Sequence, residues 1–219
     1  MRNLKILGLS LVAMFAMSAV AASMASADTL TGEKYPVTLT GDQDGQTDVF
    51  TTTAGTVSCK KASYVGTITG PSKEAEATPT YSECTALGFP ATVHTNGCKY
   101  KFTMTQPGAS STTSLVDIVC PGANEITVTA IGAGTVKCTI HVPAQNGLNH
   151  VEWVNISAGT TSDITGNITI SNLTYKHTAG TGVGACTTGH AANGTYHGKA
   201  TVKGEGTVTP FPHIGIFFS

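Results

Sequence analysis

Cysteine and histidine are the residues here whose types could do chemistry. The cysteines are Cys59, Cys84, Cys98, Cys120, Cys138 and Cys186, and the histidines His94, His141, His150, His177, His190, His197 and His213. Thiolates and imidazoles bind zinc, but no C-x-x-C pair occurs, and spacings of 25, 14, 22, 18 and 48 match no common zinc module. An even cysteine count with none left over reads instead as three disulfides, for which fifteen connectivities exist. Bridged cysteines leave no thiol nucleophile.

His150 and Glu152 stand two apart in an extended stretch, so they share a strand face and could aim at one metal ion. His190 and His197 lie close in sequence with Cys186 and Tyr196. Glu152 with Asp163 offers two carboxylates of the kind glycosidases use. No Gly-x-Ser-x-Gly, H-E-x-x-H or phosphate loop accompanies any of these groups. The histidines therefore read as ordinary strand residues and the acids as solvated. The lone Trp153 reads as a core anchor on the Val151/Trp153 parity. No catalytic, cofactor-binding or metal residue is assigned and no cofactor is expected, so the site residues are the six cysteines.

Strands must position these groups. Cys98, Tyr100, Phe102 and Met104 alternate onto one face, as do Val116, Ile118 and Cys120. A hairpin through Gln106–Thr113 sets Phe102 against Val116, Tyr100 against Ile118 and Lys101 against Asp117. Cys98 then falls opposite Cys120, at about 4.5 Å between Cα atoms in a non-hydrogen-bonded pair, within disulfide reach. Ala54-Gly55-Thr56-Val57-Ser58-Cys59 returns as Ala133-Gly134-Thr135-Val136-Lys137-Cys138, a weak repeat. Cys59 would take Cys84, the next in the chain, and Cys138 would take Cys186, with Cys120–Cys138 as the main competing pair.

Residues 125–142 read as a second hairpin, with Ile126 facing Ile140, Val128 facing Cys138 and Ala130 facing Val136. In the long stretch Asp163–His177 the apolar parity changes between Ile170 and Leu173, which calls for a bulge near Ser171-Asn172. Pro71–Pro79 reads as an exposed loop and Ala179–Asn193 as a flexible loop tied down by Cys186.

Composition agrees with an all-β chain. Of 219 residues 40% are hydrophobic, only 11% are charged, and 37 are threonine, whose branched Cβ favours extended backbone. The expected fold is an antiparallel β-sandwich or partly open barrel, stapled by disulfides. Residues 28–219 form this domain, or two similar β subdomains divided near residue 120.

Residues 1–27 read as a signal peptide. Arg2 and Lys5 precede an apolar run from Ile6 to Val20, and Ala25-Ser26-Ala27 supplies the small residues of a cleavage site. Cutting after Ala27 leaves ten lysines against thirteen acidic residues, a formal charge of −3. That charge offers no field for nucleic acid. No later segment reaches the length of about 18 apolar residues needed for a membrane helix, so no membrane insertion is expected after cleavage.

The export signal, the Pro-Val-Thr-Leu-Thr-Gly opening, Ala-Gly-Thr-Val-x-Cys, Tyr-x-x-Cys-Thr-Ala-Leu-Gly-Phe and the terminal His213-Ile214-Gly215-Ile216-Phe217-Phe218 carry a resemblance. On these motifs the chain resembles a group of uncharacterised exported β-rich proteins of high-GC Gram-positive bacteria. The resemblance implies an extracellular β domain and brings no catalytic or binding residue. The expectation is a secreted, non-enzymatic surface domain that binds or builds, with a cell-envelope glycan or a surface protein as partner. The alternative is a secreted hydrolase or metal-dependent enzyme using the His and Glu residues.

Overall fold

Apolar and polar residues alternate with period two along the chain, and each such stretch is a strand in the computed structural model, which describes residues 29–107, 111–158, 161–206 and 212–219. The signal peptide and its cleavage site lie outside the described residues. Fifteen strands form: β1 Leu30–Gly32, β2 Val37–Gln43, β3 Asp48–Thr52, β4 Gly55–Ile68, β5 Glu74–Ala86, β6 Phe89–His94, β7 Lys99–Pro107 and β8 Ser111–Val119, followed by β9 Ile126–Gly132, β10 Thr135–Val142, β11 Gln145–Ala158, β12 Thr161–Ala179, β13 Gly189–Gly206, β14 His213–Ile214 and β15 Ile216–Phe218. Every pairing between them is antiparallel, and short connections join many of the neighbours.

The pairings close two rings stacked along one axis. In the lower ring β2, β4, β5, β7, β8, β11, β12 and β13 follow one another and return to β2. In the upper ring β3, β4, β5, β6, β9, β10, β12 and β13 return to β3. The long strands β4, β5, β12 and β13 run through both. The fold is therefore all-β, antiparallel and disulfide-stapled, as the alternation and the cysteines imply. Of the sandwich and barrel forms it takes the barrel, and closure removes the unpaired edges on which sheets aggregate. Both rings draw strands from either side of residue 120.

Each long strand changes inward parity once near the waist between the rings. In β4 Lys60 and Lys61 are both exposed, and in β5 Ser82 and Glu83 are. In β12 the register shifts between Ile170 and Leu173, with Asn172 at φ 60°, the bulge that the parity change demanded. The chain crosses between rings at the waist, and amide side chains complete the backbone bonding there. Gln145 donates to Thr174 O (3.0 Å) and accepts from Thr174 N (2.9 Å), replacing a missing ladder partner. Asn96 and Asn124 close another crossing, through Glu125 O (2.8 Å) and Asn96 O (2.7 Å).

The three disulfides are Cys59–Cys84, Cys98–Cys120 and Cys138–Cys186, with no free cysteine. The first joins β4 to β5 and the second joins two waist crossings. The third ties β10 to the β12–β13 loop. The β7–β8 register is the expected one, with Phe102 opposite Val116, Tyr100 opposite Ile118 and Lys101 opposite Asp117.

Three sequence expectations are corrected. Pro71–Pro79 is not an exposed loop beyond Ser72, because Glu74 begins β5 and both Ala75 and Pro79 are buried. Its inward residues are small (Ala75, Ala77), which hid a perfect alternation. The end of the supposed 179–193 loop is strand from Gly189. In the β9–β10 hairpin the register is displaced by two, so that Ile140 faces Val128, Cys138 faces Ala130 and Val142 faces Ile126. A two-residue turn at Ala133-Gly134, both at positive φ, and an irregularity at Lys137 account for the displacement.

The lower end is capped by β1 paired with β15, the two ends of the described chain. Leu30, Ile216 and Phe218 are buried there, and Asn155 holds the Phe218 backbone at N (2.9 Å) and O (3.2 Å). His213 Nε2 lies 2.7 Å from Asp163 Oδ1 and straps the C-terminal segment to β12.

Candidate functional site

The groups with chemical potential fall in different places. His150 and Glu152 are exposed on the outer wall of β11, opposite the buried Val151 and Trp153, so the parity reading of that strand holds. Glu152 pairs with Asn167, whereas Asp163 pairs with Ile156 and is buried under the C-terminal strap; the two acids do not face one space. His190 and His197 are both exposed on β13, opposite Lys176 and Thr169 respectively, and do not meet. Among the described residues no three His, Cys, Asp or Glu side chains gather into a group able to hold a metal.

His177 is buried at the upper end, where its Nδ1 meets Thr187 O and its ring stacks on Tyr175 at 6.1 Å. Thr53 N donates to the Tyr175 hydroxyl at 2.7 Å. Lys137 is buried nearby with its ammonium on Thr181 O (2.9 Å). These contacts hold the β12–β13 loop over the ring.

The chemically distinctive cluster lies inside the barrel at the waist. Asp48 opens β3 on the inward parity it shares with Phe50 and Thr52, and is only 3% exposed. Tyr64 on β4 donates its hydroxyl to Asp48 Oδ2 (3.0 Å) and lies 3.2 Å from the Tyr196 hydroxyl of β13. The Tyr81 and Tyr100 hydroxyls, from β5 and β7, pair at 2.8 Å. Tyr64 stands edge-on to Tyr81, with ring centroids 6.3 Å apart. Asp48 Oδ1 is buried without a hydrogen bond of good geometry. A Cβ on Gly198 would come 2.4 Å from that oxygen, so only glycine lets β13 pass so close.

Burial raises the Asp48 carboxyl above the ordinary carboxylate value, outweighing the hydrogen bonds from Tyr196 and Tyr64 that favour the anion. Burial also raises Tyr64, Tyr81, Tyr100 and Tyr196, so their hydroxyls stay protonated and serve as hydrogen-bonding groups. A carboxyl raised in the fold contributes its stability below its unfolded value, and that contribution is lost as pH rises through the folded value. Asp48→Asn removes the charge. Its stability relative to the wild type should therefore increase as pH rises from the ordinary carboxylate range through the folded value. Urea unfolding of both proteins across that range checks this, and parallel pH profiles would contradict it.

Sequence reasoning passed over this cluster; the parity that Asp48 shares with Phe50 was the signal that could have found it. Tyr64, Tyr81 and Tyr100 come from β4, β5 and β7, which pair in turn, and ring closure through β13 adds Tyr196. Comparison with protein-family models, with curated proteins and with solved structures gave no match.

Proposed function

We infer that the chain is exported and works outside the cell as a non-enzymatic binding or structural module. Its partner is a cell-envelope glycan or a surface protein. The observation that carries this reading is the outer wall: a rigid barrel whose neighbouring strands place threonines side by side. Thr92, Thr129 and Thr139 form one such row across β6, β9 and β10, and Thr38 faces Thr67 across β2 and β4. Hydroxyl rows of this kind suit carbohydrate, each hydrogen bond adding about 1 kcal/mol. Because both rings are closed, recognition falls to wall side chains and not to a free strand edge.

The three disulfides are typical of extracellular proteins. Among the described residues no helix is long and apolar enough to cross a membrane. The barrel is apolar inside and threonine-rich outside, the reverse of a lipid-facing barrel, which supports a reading without membrane insertion. Nucleic acid is not a partner in this reading, given the mildly acidic mature chain.

Two outcomes test it. The mature protein in culture supernatant should begin at Asp28 on N-terminal sequencing, and recovery of uncleaved chain with membranes contradicts export. The oxidised protein should be retained on isolated envelope polysaccharide or surface protein. Replacing His150, Glu152, His190 and His197 together by alanine should leave that retention within about twofold, since the loss of exposed, unconverging groups costs little. A hydrolytic activity of the wild type that this variant loses would establish the enzyme instead.

A further inference from the structure

The interior at the waist is not completely filled. A cavity of about 90 Å³ lies between the rings, walled by Phe50, Val116, Val128, Ile170 and Leu173 and by the rings of the four tyrosines around Asp48. A smaller void of about 50 Å³ lies below it, beyond Tyr64, Phe102 and Ile168. Tyr81, Tyr100 and Tyr196 line the cavity and are only half-buried. An eight-stranded barrel has an interior just wide enough to be filled by side chains or to hold one small ligand. Here the side chains leave the second option open.

The chemistry of the walls selects the occupant. A cavity needs roughly 10–15 Å³ of such space to hold a water, so there is room here for water, but each molecule needs two to four polar partners. The hydroxyls bordering it are already committed: Tyr81 to Tyr100, and Tyr64 to Asp48 and Tyr196. Asp48 borders the space too, and its Oδ1, buried without a hydrogen bond, lies against the β13 backbone at Gly198. The lining thus offers mainly aliphatic groups and aromatic faces, with little to solvate water, and burial works against a charged carboxylate at Asp48. Apolar cavities of this kind stay dry and take compact apolar molecules.

We propose that the waist cavity is a binding site for one small, neutral, apolar molecule, of five- or six-membered-ring size and carrying at most one hydroxyl. This function is separate from recognition by the outer wall and does not depend on it.

The test titrates the oxidised mature protein with benzene, cyclopentanol and the isosteric cation cyclopentylammonium. Melting temperature and the methyl resonances of Val116, Ile118, Val128 and Ile170 are followed. Benzene and cyclopentanol should give a saturable rise in melting temperature and shift those methyl signals, because a ligand that binds only the folded state stabilises it. Cyclopentylammonium should do neither. Val128→Phe should fill the space and abolish both responses, with the three disulfides and envelope retention unchanged. Val116→Phe, from the lower ring, serves the same purpose if Val128→Phe does not fold. Absence of saturable shifts with both neutral probes overturns the proposal, as does tighter binding of the ammonium. Envelope retention lost with cavity binding intact would count against the outer-wall reading alone.

Discussion

Trp153→Ala should destabilise the protein by about 3–5 kcal/mol, the usual cost of truncating a buried aromatic that leaves a cavity. Trp153 is the hub of the lower ring. Its ring meets Phe102 edge-on at 5.2 Å and Phe218 of the cap at 6.0 Å, and its indole N–H donates to Ser114 Oγ at 2.9 Å. It lies so close to β12 that a Cβ on Gly166 would come 2.7 Å from its ring, so β12 presents no side chain there to refill the space. Hydrogen exchange should accelerate first at the β1–β15 cap, because Phe218 loses its support. Trp153→Phe should restore most of the loss, lacking chiefly the bond to Ser114, worth about 1 kcal/mol. Urea unfolding of the three proteins decides the matter, and a cost below about 1 kcal/mol for the alanine variant would remove Trp153 from this role.

Replacing Cys138 and Cys186 together by serine should cost about 4 kcal/mol. This is the loop-closure entropy for a sequence separation of 48, and it exceeds that of the two shorter bridges. The bridge anchors the β12–β13 loop beside Lys137 and His177, so its loss should also release the Lys137–Thr181 contact and admit water to His177. The Cys98/Cys120 double variant, with a separation of 22, should cost about 0.7 kcal/mol less if chain entropy dominates. Equal or reversed costs would show that contacts made in the folded state outweigh the entropy of the open chain. Chemical denaturation of the two double variants side by side makes that comparison.

Local alternation determined a great deal by itself. The β7–β8 register followed from two apolar faces and one charge pair, and it carried Cys98 to Cys120. The parity change between Ile170 and Leu173 located the β12 bulge, and Val151 with Trp153 marked the inner face of β11. All of these depend on the period of two, which neighbouring residues report without knowledge of the rest of the chain. The same reading passed over β5, because Ala75, Ala77 and Pro79 are weak apolar markers among glutamates and threonines. It also misplaced the β9–β10 register by two, where one irregular residue after a tight turn leaves no trace in the pattern.

That four strands run through two rings, and that β13 closes on β2 and β3, depended on the folded whole. Ring closure pairs strands distant in sequence, and strand order is set by how whole faces pack, which no local window contains. Asp48 shows the difference. Its parity with Phe50 was a signal the sequence reading passed over, and its partners Tyr64 and Tyr196 and its close neighbour Gly198 reach it from β4 and β13. The sequence could say that a carboxyl was turned toward the core, while the closed barrel supplied the phenols that meet it and the unfilled space beside it.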